Sequence, residues 1–302
     1  MLFFLPVLRN YMNDPIMLLD ASLRDGGHRT NFHFEDIHLQ KIIGPLDNSG
    51  IEYIEIGYRN GMQAPADLGR AGLCAKDYLL LCRSLIQKAK MVVMVFPNNI
   101  TQKDLMELKD CGVDLLRICI AKNQLASALP KIKMIKNANM HVSVNLMHIS
   151  YYQEKELDDS IKQISEYNPD IIYFADSNGS LLPSRTQKIY EQYISKYPFP
   201  FGFHAHDNLG LAQANALAAM SSGVRFIDAS LAGMGKGTGN LKTEFFVAYL
   251  HSIQLKKYNL EDVLKAANFV RSALGIGQEP IEMSEFIRGI SDLSSISYKP
   301  TS

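Results

Sequence analysis

The chain has 302 residues, of which 47% are apolar and 21% charged, as in ordinary globular proteins. Its 31 Lys and Arg residues are matched by 31 Asp and Glu residues, with no basic stripe or acidic tail. This balance argues against a nucleic-acid or other polyanionic partner. The length allows one large domain or two ordinary ones.

The amino-terminal residues Leu2 to Leu8 are apolar but interrupted by Pro6, with no basic segment before them and no small-residue cleavage site after them. Because a bilayer span takes about 20 apolar residues, we expect no membrane anchor. We interpret residues 1–15 as an N-terminal segment packed on the domain or at a subunit interface. The four cysteines show no Cys-x-x-Cys spacing, which indicates reduced thiols in a cytoplasmic protein.

Eight short apolar segments follow in chain order and are typical of β-strands. They are Ile16–Ser22, Tyr53–Gly57, Met91–Phe96, Leu115–Ile120, His141–Met147, Ile171–Ala175, Phe201–His206 and Phe226–Ala229. Segments with helical periodicity lie between them, such as Tyr78–Lys88, Thr101–Asp110, Glu154–Tyr167, Ser184–Lys196 and Leu209–Ser222. Strands that alternate with helices predict parallel βαβ units, and eight such units indicate a (β/α)8 barrel.

A doubly wound open sheet is the alternative fold, and it usually carries a glycine-rich turn after its first strand. Here the glycines of Gly233–Gly239 follow the last strand. They match neither the Gly-x-Gly-x-x-Gly pattern nor the Gly-x4-Gly-Lys-Ser/Thr pattern of nucleotide-binding loops. We therefore predict a (β/α)8 TIM barrel over residues 16–255. Residues 256–302 are predicted to form a short C-terminal helical extension.

Two histidines stand two residues apart in the seventh predicted strand. His204 and His206 then share one face of the strand and can bind one ion, although a structural pair is equally consistent with this spacing. Asp25 follows the first predicted strand, and the alternative for it is a simple turn. Since barrel active sites lie where the strands end, and alternate strands share a layer, all three can meet. One carboxylate and two imidazoles predict a divalent metal site.

Other polar residues follow the predicted strands and are candidates for binding substrate. Arg24 adds a fixed positive charge for a developing oxyanion. Arg59 follows strand two, and Asp176 and Ser177 follow strand six. The alternatives are a salt-bridged barrel residue for Arg59 and a helix cap for the Asp176 segment. His148 ends strand five without a partner motif, which favours a structural role.

Three motifs resemble those of the metal-dependent pyruvate aldolases, and more narrowly the 4-hydroxy-2-oxovalerate aldolases. They are Leu19-Asp-Ala-Ser-Leu-Arg-Asp-Gly-Gly-His28, His204-Ala-His-Asp-Asn-Leu-Gly210 and Asp228-Ala-Ser-Leu-Ala-Gly-Met-Gly-Lys-Gly-Thr-Gly-Asn240. The wider group, with hydroxymethylglutaryl-CoA lyase and isopropylmalate synthase, consists of TIM barrels. The resemblance covers residues 16 to 250.

The resemblance implies that Asp25, His204 and His206 bind a divalent metal, with Asn240 completing the site directly or through water. We expect Mn²⁺, with Mg²⁺, Co²⁺ or Zn²⁺ as alternatives. It also implies that Arg24 steadies an enolate.

The resemblance assigns His28 as the base on the substrate hydroxyl. The expected ligands are a small 2-oxo acid and an aldehyde, and the expected assembly is a homo-oligomer, a dimer. Two departures from the aldolases stand at Gly57-Tyr-Arg-Asn60 and Ala121-Lys122, and the first indicates a different aldehyde or an added anionic group. The C-terminal region is shorter than in aldolases that pair with an aldehyde dehydrogenase, so that partner is not expected.

The sequence thus predicts a class II aldolase that cleaves or forms a 4-hydroxy-2-oxo acid through a pyruvate enolate. One alternative is an acyl-CoA lyase or Claisen-type synthase on the same metal site. A second is a Schiff-base aldolase that uses Lys122, which leaves both histidines unexplained. A third is a non-catalytic barrel in a biosynthetic complex.

Overall fold

A computed structural model describes residues 15–61, 67–278 and 283–294. Within them, eight parallel strands close into a barrel in chain order, because the last strand pairs with the first. The strands are β1 (Met17–Asp20), β2 (Tyr53–Tyr58), β3 (Lys90–Val95), β4 (Leu115–Ile120), β5 (His141–Leu146), β6 (Ile171–Asp176), β7 (Phe201–Ala205) and β8 (Phe226–Ala229). The predicted (β/α)8 TIM barrel is confirmed.

Helices surround this barrel. They are α1 (Asp36–Ser49), α2 (Arg70–Leu73), α3 (Lys76–Leu85), α4 (Gln102–Asp110), α5 (Leu125–Asn137), α6 (Glu154–Ser165), α7 (Pro183–Lys196), α8 (Ala212–Ser221), α9 (Thr243–Ser252), α10 (Leu260–Leu274) and α11 (Met283–Ser291). Short 3-10 helices cover Gly26–Arg29, Pro97–Asn99, Ile149–Tyr151 and Leu231–Gly233. The extension after the barrel carries α10, which packs on α1, and α11.

The strands form because their side chains are covered on both faces, as parallel strands require. In β3, every residue of Met91–Val95 is buried. Outside the sheet, apolar side chains pack under the helices in one continuous core. Inside the barrel, a separate apolar cluster fills the end at which the strands begin. Its members are Leu19, Ala21, Tyr53, Val92, Leu115, Ile171 and Tyr173.

A charged layer follows this apolar cluster inside the barrel. Glu55, Arg117 and Asp228 stand two positions beyond the first residues of their strands and point inward, since alternate strand residues share a face. Arg117 donates hydrogen bonds to Glu55 (3.0 Å) and Asp228 (2.6 Å), and all three side chains are fully buried. Its guanidinium also lies 4.2 Å from the centre of the Tyr173 ring. The charged layer separates the apolar cluster from the end at which the strands finish.

Six of the predicted strands differ from the observed ones by one or two residues at their ends, and two of these differences affect the site. The first strand stops at Asp20, because the Asp20 carboxylate accepts a hydrogen bond from the Ser22 N–H (3.0 Å) and turns the chain. The seventh strand stops at Ala205, one residue before His206. His206 pairs instead with Asn240 in an isolated antiparallel bridge. This bridge brings the glycine loop, Gly233–Gly239, to the end of β7.

No helix in the described part of the chain is long and apolar enough to cross a membrane. All four cysteines are buried thiols without disulfide bonds. The predicted N-terminal segment 1–15 lies outside the described residues except for Pro15.

Candidate metal centre and catalytic cavity

A cavity opens where the barrel strands finish, the end at which active sites of this fold lie. It encloses about 670 Å³ of empty space when the open solvent at its mouth is counted. Six of the nine residues predicted from the sequence line it, namely Arg24, Asp25, His28, Ser177, His204 and His206. A seventh, Asn240, contacts Asp25 from behind.

Asp25, His204 and His206 form a group that can hold a metal ion, the metal triad. One ligand atom from each side chain lies within 4.8 Å of the other two. All three residues are buried, and His206 Nε2 is 3.9 Å from Asp25 Oδ2. Although burial opposes ionisation of Asp25, the charge of Arg24 and then those of the histidines hold its pKa well below the usual 3.8. Asp25 is therefore an ionised carboxylate facing two imidazoles.

The orientation of both imidazole rings is fixed from behind. His204 Nδ1 is 3.0 Å from Asp228 Oδ2, and His206 Nδ1 is 3.3 Å from the Lys236 carbonyl. These acceptors assign the proton to Nδ1 and leave Nε2 as a bare acceptor toward the cavity, as in many metal-binding histidines. His204 Nε2 is buried and has no hydrogen-bond partner within residues 15–61, 67–278 and 283–294. Burial lowers the pKa of His206 to about 3, so its ring is neutral, as metal binding requires.

Asn240 is a fourth candidate ligand beside the metal triad. Its Nδ2 donates a hydrogen bond to Asp25 Oδ2 (2.8 Å), while its Oδ1 is buried without a partner. A side chain on Gly235 would collide with the Asn240 amide at 2.6 Å, so glycine is required there. The orphaned atoms His204 Nε2 and Asn240 Oδ1 fit a bound cation, and this mixed nitrogen and oxygen donor set suits Mn²⁺, Mg²⁺, Fe²⁺ or Zn²⁺.

Arg24 lies beside the metal triad and is held at three points. Its Nε donates to Glu55 Oε2 (2.7 Å), and its Nη1 donates to Asp25 Oδ1 (2.7 Å) and to the Tyr58 hydroxyl (3.4 Å). The remaining nitrogen, Nη2, is buried and has no partner. A fixed guanidinium with one free donor can stabilise a negative oxygen that develops in the cavity.

A buried chain of charges joins Arg24 to the metal triad through the charged layer. Glu55 binds both Arg24 and Arg117, and Asp228 binds both Arg117 and His204. Neither Glu55 nor Arg117 was predicted from the sequence to have a role at the site. The signal that could have found them is a single charge inside an otherwise apolar strand, as in Leu115-Leu-Arg-Ile-Cys-Ile120, because such a charge is almost always paired.

His28 lies on the 3-10 helix that follows Asp25 and lines the cavity. Its half-buried ring packs edge-on against Phe32, with 5.0 Å between ring centres, and faces Tyr58 at 6.5 Å. Burial lowers its pKa from the ordinary 6.5. A neutral imidazole in this position can accept a proton from a bound ligand.

Arg59 does not meet the other candidates. Its guanidinium donates to the Cys74 carbonyl (2.8 Å) and pairs with Asp104 (2.9 Å) and Glu107 (2.8 Å). These three contacts hold it outside the cavity, in the salt-bridged arrangement that the sequence left open. The same holds for Lys122, whose ammonium pairs with Glu156 and therefore does not face the cavity.

Asp176 also lies off the cavity, whereas its neighbour Ser177 lines it. The Asp176 carboxylate accepts hydrogen bonds from the N–H groups of Ser180 and Leu181, both at 3.1 Å. Burial raises its pKa to about 6. These bonds close the turn after β6 but do not cap the following helix, which begins at Pro183 with Leu182 as its N-cap and no side-chain cap bond, so the helix-cap alternative is not confirmed. Ser177 Oγ accepts a hydrogen bond from the N–H of His148 (3.0 Å).

His148 lines the cavity, although the sequence favoured a structural role for it. Its Nδ1 is 3.0 Å from Asn178 Oδ1, and its ring stacks on Tyr151. The C-terminal extension reaches the same part of the cavity. Asp292 accepts a hydrogen bond from Asn178 (2.7 Å), and Ser294, two residues further on, lines the cavity. The sequence carried no pattern that placed residues after α11 at the site.

The chain is similar in sequence to characterised enzymes. An oxaloacetate decarboxylase of Mycobacterium tuberculosis is 29% identical over 284 residues, which make up 93% of this chain and 84% of that protein. A 4-hydroxy-2-oxovalerate aldolase of Moorella thermoacetica is 32% identical over 239 residues, 79% of this chain and 71% of that protein.

The fold comparison agrees. The N-terminal domain of a candidate aldolase from Bacteroides vulgatus superimposes with a TM-score of 0.83 at 28% identity, covering 92% of this chain and 93% of that one. The HMGL-like family profile matches residues 15–270. The resemblance stated from the motifs is confirmed, and so is the prediction that the chain is a lyase. The chain belongs to the HMGL-like family.

Proposed function

We propose that this protein is a divalent-metal-dependent aldolase that cleaves or forms a 4-hydroxy-2-oxo acid through a pyruvate enolate. The observation that carries the proposal is the convergence of unused polar atoms on one cavity. Among the residues that the structure describes, His204 Nε2 and Arg24 Nη2 are both buried and have no hydrogen-bond partner. Unsatisfied buried groups of this kind are costly in an empty site, and a chelating anionic substrate with its metal would satisfy them.

Asp25, His204 and His206 would hold the metal, with Asn240 as a further ligand or as the residue that positions Asp25. When bound, a divalent ion polarises the keto oxygen of a 2-oxo acid and lowers the energy of its enolate. We expect Mn²⁺ in this role, with Mg²⁺, Co²⁺ or Zn²⁺ as alternatives.

The protein side chains supply the remaining chemistry. His28, neutral because burial lowers its pKa, takes the proton of the C4 hydroxyl. The C3–C4 bond breaks, its electrons pass into the enolate, and C4 leaves as an aldehyde. Arg24 Nη2 donates to the enolate oxygen until C3 takes up a proton. Tyr58 and Phe96, which stack with 5.6 Å between ring centres, form an apolar wall that keeps water from the enolate.

Decarboxylation of oxaloacetate is a second candidate, favoured by the sequence similarity to the M. tuberculosis enzyme. It passes through the same enolate but requires no base at C4, because carbon dioxide leaves without a proton transfer. The two activities therefore differ in their need for His28.

The test is pyruvate release from 4-hydroxy-2-oxopentanoate, coupled to lactate dehydrogenase, after EDTA treatment and again after Mn²⁺ is restored. We expect release only with metal. His28→Gln should lower aldol cleavage by about 10²–10⁴-fold, the usual contribution of general acid–base catalysis, and should retain metal. Oxaloacetate is the matched control substrate, since its decarboxylation should change little in the same variant.

If a protein with bound metal releases no pyruvate from any 4-hydroxy-2-oxo acid, the aldolase is contradicted. Acetyl-CoA consumption, the sequence-based alternative, is then the activity to measure. Equal losses on both substrates in His28→Gln would contradict the role of His28 as the C4 base. A protein that binds no divalent metal would contradict the proposed mechanism altogether.

A further inference from the structure

The glycine loop Gly233–Gly239 places one lysine at the cavity. Gly233, Gly237 and Gly239 have φ angles of 71°, 67° and 102°, which glycine adopts at little cost, and they fold the loop back toward the metal triad. The Lys236 carbonyl is the acceptor for His206 Nδ1, and the Lys236 N–H lies 3.5 Å from Asp25 Oδ2. The main chain of Lys236 is thus fixed by two metal-binding residues, and its side chain lines the cavity.

The Lys236 ammonium has no counter-charge of its own. Over residues 15–61, 67–278 and 283–294, the structure gives it no ion pair and no hydrogen bond. The two acids whose charges reach it are already engaged, Asp25 by Arg24 and Glu285 by Arg288.

We propose that Lys236 binds a second carboxylate of the substrate, so that the site selects 2-oxo dicarboxylic acids over monocarboxylic ones. This inference rests on the proposed function. Under it, the metal triad and Arg24 engage the first carboxylate and the keto oxygen, and His28 engages the C4 hydroxyl. Lys236 is then the remaining cation of the cavity wall, and a carboxylate on C4 supplies the charge-assisted hydrogen bond that it lacks.

Other cations near the strand ends are unavailable for this role. Arg59, the residue that the sequence singled out in this region, is held by Asp104 and Glu107. Lys122 is held by Glu156. Neither of them lines the cavity, whereas Lys236 does.

With 4-hydroxy-2-oxoglutarate as substrate, the reaction is a retro-aldol cleavage. The hydroxyl proton passes to His28, the C3–C4 bond breaks, and its electrons enter the pyruvate enolate. C4 becomes the aldehyde carbon of glyoxylate, whose carboxylate stays on Lys236. The enolate then takes up a proton at C3 and leaves as pyruvate, so atoms and charge balance without a further reactant.

The test compares two substrates that differ only at C5. 4-Hydroxy-2-oxoglutarate carries a carboxylate there, and 4-hydroxy-2-oxopentanoate carries a methyl group. We expect wild-type kcat/KM to favour the dicarboxylate by about 10–100-fold, as a hydrogen bond to a charged group provides. Lys236→Met should remove most of this preference, mainly through KM, and Lys236→Arg should restore part of it.

Lys242→Met is the matched control, because the Lys242 ammonium lies over the Phe245 ring (5.4 Å) and does not line the cavity. It should keep the wild-type preference. Bound metal should be unchanged in every variant, which checks that the loop still folds. Equal losses on both substrates in Lys236→Met would overturn the inference, since Lys236 would then act on the loop or the metal.

The two proposals fail in different ways. If the wild type cleaves the monocarboxylate as well as the dicarboxylate, the inference fails and the aldolase stands. If the wild type cleaves neither substrate, the proposed function fails and the inference falls with it.

Discussion

The floor and the rim of the cavity are built differently. The floor consists of Arg24, Asp25, His204, His206 and Asn240, which are all buried. The rim consists of His28, His148, Ser177 and Lys236, which are all half-buried. Each side chain of the floor makes at least one hydrogen bond within the protein, and Arg24, Asp25, His204 and His206 also line the cavity.

The rim is less constrained. In the described part of the chain, the His28 imidazole makes ring contacts but no hydrogen bond, and the Lys236 ammonium has no partner. A floor fixed in this way suits one intermediate, the enolate, whereas rim residues on loops can differ without disturbing the floor. Under the proposed function, the floor therefore stabilises the enolate and the rim selects the leaving group.

The largest effect should come from the floor itself. Asp25→Asn removes the only carboxylate of the metal triad, so we expect loss of bound metal and a fall in pyruvate release of about 10³-fold or more. Bound Mn²⁺ after dialysis and the coupled assay measure both. Asp176→Asn changes an equally buried carboxylate outside the cavity and should keep its metal. Full metal content and rate in Asp25→Asn would show that the floor is wrongly assigned.

A smaller effect should follow from the support behind the floor. Asp228→Asn weakens the acceptor for His204 Nδ1, and such outer contacts usually change metal affinity by about 10–100-fold. Glu55→Gln is the matched variant, because Glu55 binds Arg117 and Arg24 but no histidine. It should lower kcat and leave metal affinity near that of the wild type. If metal titrations give the same affinity for both variants, Asp228 does not support metal binding more than Glu55 does, and the prediction is wrong.

The smallest effect should appear in stability. Burial raises the pKa of Asp20 to about 6, above the ordinary 3.8, so the fold favours the neutral acid. Protonated Asp20 therefore makes its full contribution to the free energy of unfolding below pH 4, and this contribution is lost as the pH rises through 6. Asp20→Asn mimics the neutral form and can keep the contacts with Ser22 and Thr243.

We therefore expect Asp20→Asn to raise the free energy of unfolding at pH 7.5 by about 1–3 kcal/mol and to leave it unchanged near pH 4. Urea unfolding at both pH values measures the difference, and metal affinity should not change, since the turn before Arg24 is retained. A variant that is less stable than the wild type at pH 7.5 would show that the charge on Asp20 supports the floor.

The sequence was sufficient to predict the barrel and much of the floor. Apolar runs of strand length place all eight strands to within two residues at each end, because covered parallel strands need such runs. Helices α1 and α5 were not among the helices named from periodicity, and each contains a proline, Pro45 and Pro130. A proline inside a helix is a strong signal for its end, and here tertiary packing overrides it.

The part of the site that the sequence did not reveal depends on which way a side chain turns. Arg59 and Asp176 follow strands as predicted, but local partners hold both outside the cavity. Lys236 lies within the motif Asp228–Asn240, but its position at the cavity depends on how the glycines fold the loop. The contact of Ser294 with the cavity depends on the path of the chain after α11. The hydrophobic periodicity of the sequence predicts neither the path of the glycine loop nor the path of the chain after α11.

The charged layer inside the barrel also determines how the protein responds to salt. Dissolved ions screen charges over about 8 Å at physiological ionic strength, but only where they can approach. Glu55, Arg117 and Asp228 are sealed from solvent, so the alignment of His204 and Arg24 is insulated from the ionic composition of the medium. Lys236 lies at the open mouth, and its attraction for an anion weakens as salt rises. If Lys236 selects a second carboxylate as proposed, added salt should therefore reduce that preference and leave the alignment of His204 and Arg24 unchanged.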